Sequence, residues 1–186
     1  GPPRQLMSQR KLVNALSWLM PGGLGVTRKR TSLGQLAVQC VEPKARTSNA
    51  VILYLHGGAF CLGNPDTHYS VTSRLARETG CRVWAPDYRL APEHPYPAAL
   101  DDCLACYDAI RAQGCPAQQL LIAGDSAGGA LALALALTLK QRGEPFAAGL
   151  ILLSPVTDPD LGADRLQSRT AVDPMIRRDW LEQALT

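Results

Sequence analysis

At 186 residues the chain is long enough for one domain with a substantial core and too short to demand a second. A formal charge of +3, with 19% charged and 5% aromatic residues, leaves no basic surface interleaved with aromatics, which excludes a dedicated nucleic-acid binder; no apolar run is long enough to span a bilayer. Six cysteines, at 40, 61, 81, 103, 106 and 115, come without a secretory cleavage pattern, so they read as reduced thiols of a cytoplasmic protein rather than a disulfide framework.

From the N-terminus, Leu12, Val13, Leu16, Leu19 and Met20 recur at helical spacing between Leu6 and Met20, with Arg10, Lys11 and Asn14 turned elsewhere, and Pro21-Gly22-Gly23 ends the pattern. An amphipathic helix must bury its apolar face, so residues 1–30 are expected as a cap-helix region; a helix lying on a membrane surface is the alternative. The triplet Arg28-Lys29-Arg30 reads as a solvated loop. Residues 31–160 are expected to form the α/β core, opening with strands near Gln35 to Val41 and at Val51 to Leu55. The second of these is wholly apolar and runs straight into His56-Gly57-Gly58-Ala59-Phe60. A glycine pair at the end of a buried strand lets backbone N–H groups approach a ligand closely, although taken alone the segment reads better as a strand-ending turn.

A helix is predicted over Asp66 to Thr79 and a strand over Cys81 to Ala85. The segment Asp87-Tyr88-Arg89-Leu90-Ala91-Pro92-Glu93-His94-Pro95-Tyr96-Pro97-Ala98-Ala99-Leu100-Asp101-Asp102 follows, merging into a helix from about Pro97 to Gln113. Cys103 and Cys106 form a C-x-x-C on that helix with no second pair or histidine partner, so no metal is expected and both read as buried thiols. Leu120-Leu121-Ile122-Ala123 then leads through Gly124-Asp125-Ser126-Ala127-Gly128-Gly129 into a segment dense in Ala and Leu. A strand that turns in one residue into a helix leaves Ser126 strained, with its hydroxyl projecting; side chains at Gly124 and Gly128 would collide as strand and helix close. Ala130 to Leu139 alternates like a strand, but neither residue type is β-branched and the segment to Arg142 is too long, so a helix buried nearly all round is predicted, ending at Gly143. A strand at Gly149 to Leu153, an Asp158 beyond it, and a helix from about Pro174 to Leu185 complete the pattern, with residues 161–186 expected as a second cap segment.

The three ordered motifs, His56-Gly57-Gly58-Ala59, Asp87 to Asp102 and Gly124-Asp125-Ser126-Ala127-Gly128, closely resemble the hormone-sensitive-lipase-like branch of the α/β-hydrolase esterases and lipases, over about residues 45 to 186. The resemblance implies a mostly parallel sheet with helices on both faces and a small helical cap. It implies a carboxylic-ester hydrolase with Ser126 as nucleophile and the backbone N–H groups of Gly58, Ala59 and Ala127 as oxyanion hole, using no cofactor and no metal. The chain departs from the family at Ala59, where a third glycine is usual; only the N–H is needed there, and the methyl narrows the acyl pocket.

The triad order in such hydrolases is Ser, then Asp or Glu, then His. Every histidine here, His56, His68 and His94, precedes Ser126. The expectation is therefore that the C-terminal part of the fold is absent from this chain, and that a missing segment or a second chain supplies the base and covers the strand at Gly149 to Leu153. By the same resemblance, Asp158, a possible acid by position, looks more like a structural Asp of the Ser154-Pro155-Val156-Thr157-Asp158 turn. Two functions follow: a serine esterase for small to medium acyl esters, with amide hydrolysis also open, or a non-catalytic small-molecule binder on the same scaffold.

Overall fold

The computed structural model describes residues 2–17 and 19–157. The chain runs α1 (Pro2–Ser17), β1 (Val26–Leu33), β2 (Leu36–Pro43), β3 (Val51–Leu55), α2 (Tyr69–Thr79), β4 (Arg82–Pro86), α3 (Ala98–Ala112), β5 (Leu120–Asp125), α4 (Ala127–Gln141) and β6 (Gly149–Leu153). One sheet takes all six strands in the order β1-β2-β4-β3-β5-β6. β1–β2 and β2–β4 pair antiparallel, whereas β3–β4, β3–β5 and β5–β6 pair parallel.

The all-apolar β3 is what a strand covered on both faces requires, and each of its five residues is buried. Leu53 and Leu55 join the core formed with α3 and α4, through Tyr107, Ile110, Leu131, Leu135 and Leu139. Ile52 and Tyr54 point to the other face, where α2 contributes Ala76 beside Val41 and Val83. β3 is also where the chain changes direction, because β4 lies on one side of it and β5 on the other. In open α/β sheets the crevice for ligands forms at such a reversal, beyond the carboxyl ends of the strands. Register pairs Leu55 with Gly124, so the segments leaving β3 and β5 start side by side.

Two expectations are corrected. The basic triplet lies not in a loop but in β1, the sheet's outer antiparallel strand, and the sheet begins at Val26 rather than near residue 31. Charged side chains suit an exposed edge because they discourage pairing with another chain. Arg28 stacks over the Tyr69 ring at 4.4 Å and Arg30 pairs with Asp66. α1 ends at Ser17, and the expected apolar burial is not found: among the described residues Met7, Leu12, Leu16, Leu19 and Met20 are exposed and Val13 is only partly buried. Arg10 reaches the segments after β3 and β4, and Asn14 Oδ1 accepts from Asn64 at 2.9 Å.

α4 buries Ala127, Gly128, Gly129, Leu131, Ala132, Leu135 and Leu139, while Leu137 and the last two residues, Lys140 and Gln141, are exposed. β6 forms an open edge among the described residues, leaving Leu150 and Leu153 partly exposed. All six cysteines are free, Cys103 and Cys106 being buried in α3 with thiol pKa values pushed up by burial. No helix among the described residues is long and apolar enough to cross a membrane. Asp158, the predicted helix from Pro174 to Leu185 and the segment 161–186 lie outside the described residues.

Candidate active site

Ser126 sits between β5 and α4 with φ 50° and ψ −118°, a conformation an L-residue adopts only when its surroundings impose it. Those surroundings are explicit. Its N–H donates to Leu153 O at 2.9 Å, and its carbonyl accepts from Ala130 N–H at 3.2 Å and from Val156 N–H at 3.1 Å. A Cβ on Gly124 would lie 2.3 Å from Gly128 O, and one on Gly128 would lie 2.0 Å from Leu55 O. Strand and helix therefore close on each other through two positions with no side chain. Ala127, the first residue of α4, is wholly buried, and its N–H belongs to the helix's first turn, where donors have no intrahelical acceptor.

Beside this elbow, the chain leaving β3 turns through three consecutive residues at positive φ: Gly58 at 124°, Ala59 at 51° and Phe60 at 61°. The turn closes on the Gly58 carbonyl, which accepts from Cys61 N–H at 3.0 Å and Leu62 N–H at 2.7 Å. The N–H groups of Gly58 and Ala59 are thus left out of the turn's own hydrogen bonds. Gly58 has no substitute, since a Cβ there would lie 2.2 Å from Leu62 O. Two close segments, one presenting a serine and the other a set of amide donors, suit attack on a carbonyl whose oxygen becomes negative.

Asp125 ties them together, a role not foreseen in the sequence. Its Oδ1 accepts from Gly57 N–H at 2.8 Å and from Tyr54 O–H at 2.7 Å, while its Oδ2 lies 3.4 Å from His68 Nε2. Burial alone would raise the Asp125 pKa, but the hydrogen bond and charge of His68, with those from Tyr54 and Gly57, hold it below the ordinary carboxylate value. Burial, then the neighbouring Asp125, pushes the Tyr54 hydroxyl strongly up, so it serves as a donor. A tyrosine inside an otherwise aliphatic buried strand was the available signal, because its hydroxyl must find a partner.

Two of the three histidines are engaged in contacts of their own, and the third is exposed. His56 is buried, its Nδ1 2.8 Å from Gly57 O, and its ring is stacked on Tyr88 with centroids 4.2 Å apart. Tyr88 O–H donates to the His56 carbonyl at 2.6 Å. Burial, then the nearby His68, lowers the His56 pKa to about 3, so the ring is neutral. His68 precedes α2, with Nε2 on Asp125 and Nδ1 2.8 Å from Thr67 Oγ1. His94 is exposed in the loop after β4. Among the described residues no group of three His, Cys, Asp or Glu side chains is placed to hold a metal. A separate, polar cavity of about 760 Å³ opens between α1, β1 and the start of α2, lined by Asn14, Arg28, Asn64, Asp66 and Tyr69 among others; Ser126, Gly58, Ala59 and Ala127 are not in its wall.

A family model described as alpha/beta hydrolase fold matches residues 52–186. An esterase of Acinetobacter venetianus is 41% identical over 145 residues, covering 77% of this chain and 48% of the relative. An acetyl-hydrolase of Streptomyces hygroscopicus is 40% identical over 138 residues, covering 74% and 46%. A crystal structure of an esterase from the bacterial hormone-sensitive lipase family superposes with a TM-score of 0.90 at 32% identity, over 96% of this chain and 61% of that one. The chain thus spans about half the length of the curated relatives it matches.

Proposed function

The chain belongs to the alpha/beta hydrolase fold family, in its hormone-sensitive-lipase-like branch, and on that footing we propose that it carries the nucleophile and oxyanion hole of a serine carboxylesterase for small to medium acyl esters. The observation that carries the reading is the strained Ser126 elbow beside the Gly58–Phe60 turn. Ser126 Oγ bonds to the ester carbonyl carbon and gives up its proton to a base, while the carbonyl oxygen takes the electron pair and accepts hydrogen bonds from the N–H groups of Gly58, Ala59 and Ala127. Collapse expels the alcohol, which receives the proton from the base, and leaves an acyl-enzyme. Water then attacks that ester, releases the carboxylic acid and restores Ser126. We assign the base to polypeptide outside this sequence, because all three histidines precede Ser126 and the chain spans only about half of its curated relatives. The six free thiols support a cytoplasmic setting.

One second reading is a non-catalytic small-molecule binder on this scaffold. A serine-directed phosphonate separates them. The full-length natural protein is expected to hydrolyse p-nitrophenyl butyrate and to gain one phosphonyl group on Ser126, both abolished in Ser126→Ala. A full-length protein that neither hydrolyses the ester nor takes the label refutes the esterase reading.

A further inference from the structure

The Gly58–Phe60 turn is gripped by a residue far away in the sequence. Arg10 of α1 donates from Nε to Cys61 O at 2.7 Å, from Nη2 to Ala91 O at 2.7 Å, and from Nη1 and Nη2 to Glu93 Oε1 and Oε2 at 2.7 and 2.9 Å. Ala91 N–H in turn donates to Phe60 O at 3.0 Å, and Cys61 N–H to Gly58 O at 3.0 Å. One guanidinium therefore fixes the carbonyl that follows the three positive-φ residues, together with the loop that holds the last of them. We propose that Arg10, oriented by Glu93, is a positioning residue that holds the backbone N–H groups of Gly58 and Ala59 in the direction the oxyanion requires.

This rests on the esterase reading and adds to it a control exerted from α1. Residues in sparsely populated backbone regions persist only where surrounding contacts over-determine them. Here those contacts include a planar fork serving two carbonyls and a carboxylate at once. A lysine ammonium, a point charge on a flexible stem, cannot reproduce that set. Stability alone is a poor reason for the arrangement, because Glu93 is half exposed and ion pairs of that kind contribute little. Arg10 and Asn14 both carry polar contacts from α1 to the body, Arg10 to the Gly58–Phe60 side and Asn14 to Asn64.

The test uses the full-length natural protein with Arg10→Lys, Arg10→Met and Glu93→Gln, active sites being counted by phosphonate incorporation. A misaimed donor set weakens the transition state more than the substrate complex, so kcat per titrated site should fall about 10- to 100-fold in both Arg10 variants, with KM within about threefold. A trifluoromethyl ketone, whose serine adduct bears an oxyanion, should lose affinity by the same factor. Glu93→Gln should show a smaller loss of the same kind and carries the test if Arg10→Met does not fold. Unchanged kcat per titrated site, with only a lower Tm, makes Arg10 a helix-docking residue and overturns the proposal; so does an unchanged ketone affinity. An inactive, unlabelled wild type refutes the esterase reading and the Arg10 role with it, whereas an active wild type with unaffected variants refutes the Arg10 role alone.

Discussion

Gly128→Ala would test how closely α4 and β3 approach. A Cβ there would meet Leu55 O at 2.0 Å and His56 O at 2.5 Å, where about 3.0 Å is the closest such an atom normally comes. The end of β3 would have to retreat by about 1 Å, and it has little freedom to do so: Leu53 and Leu55 are fully buried, and β3 is paired on both sides. Overpacking a tight core costs about 1–3 kcal/mol and sometimes more; with rigid backbone as the obstacle, about 3–5 kcal/mol is the expected range. Alanine's better helix propensity returns about 1 kcal/mol, leaving a net loss of at least about 2 kcal/mol. The control is Gly143→Ala, at φ 67° with nothing within 4 Å of a new Cβ, where only the left-handed conformation is penalised, by about 1 kcal/mol. Urea denaturation of the full-length protein reads both. A midpoint for Gly128→Ala equal to or above that of Gly143→Ala would refute the close approach and, with it, the physical basis of the elbow.

His56, buried and neutral with its pKa near 3 against 6.5 ordinarily, binds a proton more readily when unfolded. Its contribution is complete above about pH 6.5 and is lost as pH falls toward 3, so at pH 5 about 2 kcal/mol of stability should be missing. Urea midpoints between pH 7.5 and 5 should fall in wild type and fall distinctly less in His56→Asn; parallel slopes would contradict the assignment. On α4, Leu135→Ala removes a fully buried side chain and should cost about 2–5 kcal/mol, whereas Leu137→Ala, at a position 60% exposed, should stay within about 0.5 kcal/mol. Similar urea midpoints for the two would mean that the helix faces are misassigned.

The parts legible in the sequence are those written in short stretches of chain. An apolar strand, glycines two residues on either side of Ser126 and an Ala/Leu-rich follow-on specify an elbow locally, and the apolar β3 running into Gly57-Gly58 specifies its neighbour. β1 escaped because its outer-edge position lets Arg28, Lys29 and Arg30 stand in solvent, which erases the alternation that marks a half-buried strand. The attachment of α1 is not legible in the sequence because helical periodicity reports where apolar side chains gather, not which neighbour meets them. Here Arg10, turned away from the apolar stripe, finds Glu93 and two backbone carbonyls. Glu93 itself lies in a motif that was recognised, yet its partner depends on tertiary placement that no local spacing encodes.

Asp125 shows why the two halves of the site require each other. Ser126, Gly58, Ala59 and Phe60 all adopt positive φ, and backbone strain of this kind costs about 1–3 kcal/mol per non-glycine residue unless neighbouring contacts offset it. The elbow is pinned from below by the hydrogen bonds of Ser126 with Leu153, Ala130 and Val156. The turn is held by its own bonds to Gly58 O and Phe60 O, and Gly57, at its root, donates to the carboxylate one residue before the serine. Any shift of the elbow therefore moves Asp125 and pulls the root of the turn with it, so serine and donors keep their mutual spacing. A half-buried carboxylate would be a liability in that place if it were left without partners, and Tyr54, Gly57 and His68 supply them. Adjacency of β3 and β5 makes this possible: the register that places Leu55 opposite Gly124 brings Gly57 within reach of Asp125, and a different strand order would leave both segments strained and unconnected.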